Sequence, residues 1–83
     1  MTMDRQTLAQ TVVALLRSIA PELEPGALEP GRPLRSQVDL DSMDWLTFLV
    51  SLHERFGVNI PESEYARLVS LNDILDYLHS KLG

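Results

Sequence analysis

A chain of 83 residues, 45% hydrophobic and 23% charged, has a globular rather than a disordered composition and is long enough for one small domain over residues 1–83. It has no cysteine, which excludes disulfides, a thiolate nucleophile and cysteine metal sites, and suits a reducing compartment. Residues 1–35 balance four acids with four bases, so residues 36–83, with eight acids against Arg55, Arg67 and Lys81, carry the whole net charge of −5; that argues against nucleic acid and fits either a basic protein partner or a merely solvated acidic surface.

The opening MTMDRQTLAQTVVALL lacks the basic start and continuous apolar centre of a secretion signal, and no apolar run reaches bilayer-spanning length. A cytoplasmic protein with no membrane partner is expected. Leu8, Val12, Leu15, Leu16 and Ile19 recur at helical spacing and predict an amphipathic helix over 4–20, stopped by Pro21. Residues 21–41 hold four of the five prolines and predict a long loop, pinned to the core by Leu23, Leu28, Leu34, Val38 and Leu40. A second helix is predicted over 42–56, ended by Gly57. A short third helix opens at Ile60-Pro61, with Pro61 in its first turn and Leu68 near its end. Ser70 and Asp73 read as a capping box for a fourth helix. Its apolar face is Leu71, Ile74, Leu75, Leu78 and Leu82, with His79 and Lys81 in the last turn. With no strand pattern and no repeat, the expected fold is all-α: a small four-helix bundle of three longer helices and one short one, with a long first loop.

The second helix has more apolar surface than a core requires. At 100° per residue from Met43, the residues Trp45, Phe48, Leu49, Leu52 and Phe56 fall between about 140° and 240°, an arc suited to a core. Met43, Leu46 and Val50 form a second strip at about 300° to 360°, beside the polar face. Either the long loop covers that strip or a partner protein does.

The stretch VDLDSMDWL, residues 38–46, sets Asp39, Asp41 and Asp44 around Ser42 at the start of this helix. A serine nucleophile needs a base within hydrogen-bond reach, and His53 lies eleven residues along the same helix, roughly 16 Å away. A calcium loop begins well at Asp39 and Asp41 but then meets Met43, Asp44 and Val50 where a ligand, a glycine and a bidentate glutamate belong. No metal site is expected, and no catalytic residue. Two readings stay open: a helix cap, with Asp or Ser accepting backbone N–H bonds, and an attachment point, because free N–H groups at a helix start favour a phosphodiester.

LDSMD, then Leu46, Leu49, Leu52 and Phe56, then GVNIP and SLNDILDYL, resemble a discrete acyl carrier protein over nearly the whole chain, 4–82. The resemblance implies a non-enzymatic carrier whose motif serine, here Ser42, bears 4'-phosphopantetheine attached from coenzyme A by a phosphopantetheinyl transferase. Cargo would be held as a thioester and presented to acyl ligases or synthases with basic docking surfaces. It further implies partner docking at Asp41, Met43, Asp44, Leu46 and Val50, and a cargo pocket at Trp45, Leu49, Tyr65, Leu68 and Ile74. Trp45, Tyr65 and Ile74 are bulky where that family shelters a fatty chain, so cargo is expected to be short, polar or largely exposed. Asp39 stands where the family usually has glycine, and Thr47, Ser51, His53 and Arg55 thin an otherwise glutamate-rich helix. A specialised lipid or secondary-metabolite pathway is therefore expected, with the carrier itself monomeric. The alternatives are an aminoacyl or peptidyl carrier and an unmodified helical interaction module.

Overall fold

The computed structural model describes residues 4–82. Helix α1, Arg5–Ile19, starts where the Asp4 carboxylate accepts the Thr7 amide at 2.7 Å. It ends as predicted before Pro21, and it buries Leu8, Val12 and Leu16, with Leu15 and Ile19 only partly covered. The segment that follows is not plain loop. It contains a 3-10 turn, Pro25–Ala27, and a single α-turn, α2, Leu34–Gln37. Gln37 ties the segment together: its Oε1 accepts the Glu29 amide at 2.7 Å, and its Nε2 donates to the Glu29 carbonyl at 2.9 Å. Leu23, Leu34, Val38 and Leu40 are buried, and Leu28 is partly so.

Helix α3, Ser42–Phe56, ends at Gly57, the one residue with positive φ among those described (φ 65°), whose N–H donates to the His53 carbonyl at 2.9 Å. The predicted short helix is a 3-10 helix, Glu62–Arg67, and Pro61 precedes it in extended geometry rather than sitting in its first turn. Helix α4, Leu71–Leu82, opens with the expected capping box. The Ser70 N–H donates to Asp73 Oδ2 at 2.9 Å, and the Asp73 N–H donates back to Ser70 Oγ at 3.2 Å. Leu82, placed on its apolar face from sequence, is exposed at the end of the helix.

Helix α1 packs against both α3 and α4. Between the helices lie the fully buried Phe48, Leu8, Leu16, Leu34, Leu49, Leu52, Ile74, Leu78 and Val12. The connection to α3 is held against the start of α4 by backbone bonds: the Leu34 N–H donates to the Val69 carbonyl at 2.9 Å, and the Asn72 N–H to the Pro30 carbonyl at 3.0 Å. These cross-links fix the approach of the chain to Ser42, so the first residue of α3 stands at a defined point on the surface.

Candidate functional site

In the DSMD stretch the helix cap falls to Asp41 and not to Ser42. The Asp41 backbone is extended (φ −82°, ψ −179°), its Oδ1 accepts the Asp44 N–H at 2.8 Å, and its carbonyl accepts the Trp45 N–H at 3.0 Å. Ser42 is thereby freed from capping and becomes the first helical residue, with its side chain exposed. Five of the chain's seven serines use their hydroxyls locally. Ser18, Ser36, Ser51 and Ser80 donate to the carbonyls of Leu15, Pro33, Phe48 and Tyr77, and Ser70 caps α4. Of the serines, all of which are described, only Ser42 and Ser63 have a hydroxyl with no partner among the described residues. Ser63 lies inside the 3-10 helix, whereas Ser42 begins a 15-residue α-helix.

The Ser42 and Met43 amides also lack a partner among the described residues, as the first N–H groups of a helix do. A tetrahedral anion on Ser42 Oγ would meet those two donors and the positive end of the α3 dipole. The residues present therefore fit a phosphodiester-linked group.

Met43, Leu46 and Val50 are 70%, 41% and 48% exposed, so the long loop does not cover the second apolar strip of α3. Asp41 is exposed at the end of this strip, and Asp44 is half-buried in the first turn. His53 is committed elsewhere: its Nδ1 is 2.9 Å from the Val58 carbonyl, which can only accept, so Nδ1 carries the proton. His79 is exposed in the last turn of α4. Among the described residues no cluster of three acidic, histidine or cysteine side chains could hold a metal ion.

The five residues read as a cargo pocket are only partly brought together. Trp45, Tyr65 and Leu68 line one open groove of about 220 Å³, and Leu49 and Tyr65 line a second of about 140 Å³. Ile74 is 1% exposed in the core and lines neither. Trp45 also packs against Phe48, with ring centroids 5.4 Å apart and the planes tilted by 45°. The sequence reading missed Pro33 and Arg35, which α2 brings to the same groove as Trp45.

The structure is thus a small helical bundle with an unpartnered serine hydroxyl at the start of its second long helix. The family model described as "phosphopantetheine attachment site" matches residues 10–78. Acyl carrier proteins of Renibacterium salmoninarum and Thermosynechococcus vestitus are 34% and 30% identical to this chain, over 70% and 74% of it and 72% and 75% of their own lengths. A solution structure described as that of an acyl carrier protein from Anaplasma phagocytophilum superposes with a TM-score of 0.84 over 100% of this chain and 97% of that one, at 24% identity, which shows the shared fold. The chain belongs to the acyl carrier protein family. Its prosthetic group is a covalently attached 4'-phosphopantetheine, its role is that of a carrier, and it works with a phosphopantetheinyl transferase and acyl-handling enzymes. Among the described residues no helix is long and apolar enough to cross a membrane.

Proposed function

We propose that Ser42 is the attachment point and that this chain, without catalysing chemistry itself, delivers acyl units to enzymes of a specialised pathway in the cytoplasm. The observation that carries the assignment is the Ser42 hydroxyl: exposed, unpartnered among the described residues, and capped into position by Asp41. In the transferase reaction Ser42 Oγ forms the new P–O bond, the bond from that phosphorus to adenosine 3',5'-diphosphate breaks, and the hydroxyl proton is lost. The group then supplies a terminal thiol that holds cargo as a thioester. Asp41 and Asp44 present negative charge beside Met43, Leu46 and Val50, and a basic, apolar surface on a partner enzyme complements that combination.

The case for a dedicated pathway rests on the polar face of α3. Helix α3 carries only two carboxylates, Asp44 and Glu54; Thr47 Oγ1 and Ser51 Oγ donate to backbone carbonyls, and Arg55 lies 5.8 Å from the centre of the Phe56 ring. The test uses the full chain with coenzyme A and a broad-specificity transferase, followed by intact mass. A gain of one phosphopantetheine supports the assignment, and an unchanged mass overturns it. The modified protein, offered to a malonyl transferase of general fatty-acid synthesis, should be loaded at least tenfold more slowly than that enzyme's own carrier. Equal rates would contradict the dedicated pathway.

A further inference from the structure

The groove of about 220 Å³ that Trp45 lines is chemically one-sided. It is lined by Pro33, Ala66, Leu68 and Val69 together with three residues that carry hydrogen-bond donors, Arg35, Trp45 and Tyr65. No acidic residue lines it. Arg35 has no ion-pair partner among the described residues; the three ion pairs there use Arg5, Arg32 and Arg67. Trp45 is more than nine-tenths buried, yet its N–H has no hydrogen-bond partner among the described residues, and neither has the Tyr65 hydroxyl. Since no buried side-chain nitrogen or oxygen is left without a partner, both groups must reach the surface. Three residues with unused donors, one of them permanently charged, thus line one small groove.

Position matters as much as chemistry. Trp45 is three residues after Ser42, so the two are neighbours along α3, about 4.5 Å apart in rise. A groove along α1 also holds an unpaired guanidinium, Arg17, but takes no residue from α3. The groove bearing Glu22, Glu24 and Asp39 has the opposite charge.

We infer that this groove recognises a short acyl unit whose far end bears a carboxylate, with Arg35 pairing that carboxylate and the Trp45 N–H and Tyr65 hydroxyl donating to its oxygens. The inference rests on attachment at Ser42. A long hydrocarbon chain would leave all three donors unanswered in a space too small for it, whereas a short dicarboxylic half-thioester satisfies them.

The test loads the full chain with succinyl or butyryl phosphopantetheine, using the corresponding coenzyme A thioesters and a broad-specificity transferase. The two cargoes match in chain length and differ in the terminal carboxylate. The chain has one tryptophan, so its indole ¹H–¹⁵N signal is a single assigned probe. It should move by several linewidths between the unacylated and succinyl forms and by less than one linewidth for butyryl. The succinyl shift should be lost in Arg35→Gln and kept in Arg17→Gln. Equal shifts for the two cargoes, no succinyl shift, or a shift that survives Arg35→Gln would overturn the inference. So would an Arg35-dependent shift already complete on attachment of the unacylated arm, which would mean that the guanidinium holds the phosphodiester instead. Failure of the mass gain at Ser42 would sink the attachment and this inference together, whereas normal loading without the carboxylate-dependent shift would sink this inference alone.

Discussion

Asp41 has two roles that substitution can separate. Its Oδ1 caps α3 through the 2.8 Å bond from the Asp44 N–H, and its charge stands beside Ser42. Asp41→Ala removes both. Losing a side-chain cap costs about 1 kcal/mol, which in a domain of this size lowers Tm by about 4–8 °C. Asp41→Asn retains an acceptor of equal capping quality, so its Tm should stay within about 2 °C of the parent. Only the charge is then lost. A unit charge about 6 Å from a basic group in water is worth about 0.7 kcal/mol, so modification by a transferase with a basic docking surface should slow about threefold. Thermal unfolding followed by circular dichroism and initial rates of mass gain read the two effects on the same samples. Asn as destabilising as Ala would refute the side-chain cap, and an unchanged modification rate in the Asn variant would refute the electrostatic role.

Three further outcomes are expected. Asp44→Lys should slow modification more than Asp41→Asn does, and added salt should slow the parent, because exposed charges are screened beyond about 8 Å at physiological ionic strength; rates indifferent to salt would leave docking purely apolar. Gly57→Ala should cost roughly 1–2 kcal/mol by urea titration, purely through its positive φ, since nothing lies within 4 Å of an added Cβ; a neutral result would contradict the left-handed stop. The carboxyl of Asp73 is held below its ordinary pKa, first by the hydrogen bond from the Ser70 amide and further by that from Val69. Its folded-state pKa lies below the unfolded one, so its contribution is present above about pH 4 and is lost as pH falls through the folded value. The urea midpoints of the parent and Asp73→Asn should converge between about pH 6 and pH 2.5, and a constant gap would count against the linkage.

The three long helices were legible because each carries its own local signals. For α3 these are a capping Asp41, the periodic Trp45, Phe48, Leu49 and Leu52, and a terminal Gly57. The α2 turn was not legible. Four residues, LRSQ, are too few to show a period, and the turn is held in place by bonds from distant segments, such as the Leu34 N–H to the Val69 carbonyl. The Glu62–Arg67 segment was legible as a short helix but its 3-10 type was not, since its tightening to i→i+3 bonds, as in Glu64 N–H to Pro61 carbonyl at 2.9 Å, leaves no mark in so short a pattern. At the site, residue types alone left Asp41 and Ser42 equally able to cap; backbone geometry assigns the cap to Asp41 and leaves the serine hydroxyl free. Arg35 escaped notice because only tertiary packing brings it beside Trp45.

Two serines, Ser42 and Ser63, have unpartnered hydroxyls among the described residues, and both are flanked by acids, so comparing them is the most direct test of the attachment site. Ser42→Ala and Ser63→Ala variants of the full chain, each incubated with coenzyme A and a broad-specificity transferase, are to be read by intact mass after circular dichroism has confirmed that both are folded. Ser63→Ala should gain one phosphopantetheine at the parent rate, and Ser42→Ala should gain none. A folded Ser42→Ala variant that still gains the group would contradict the assignment.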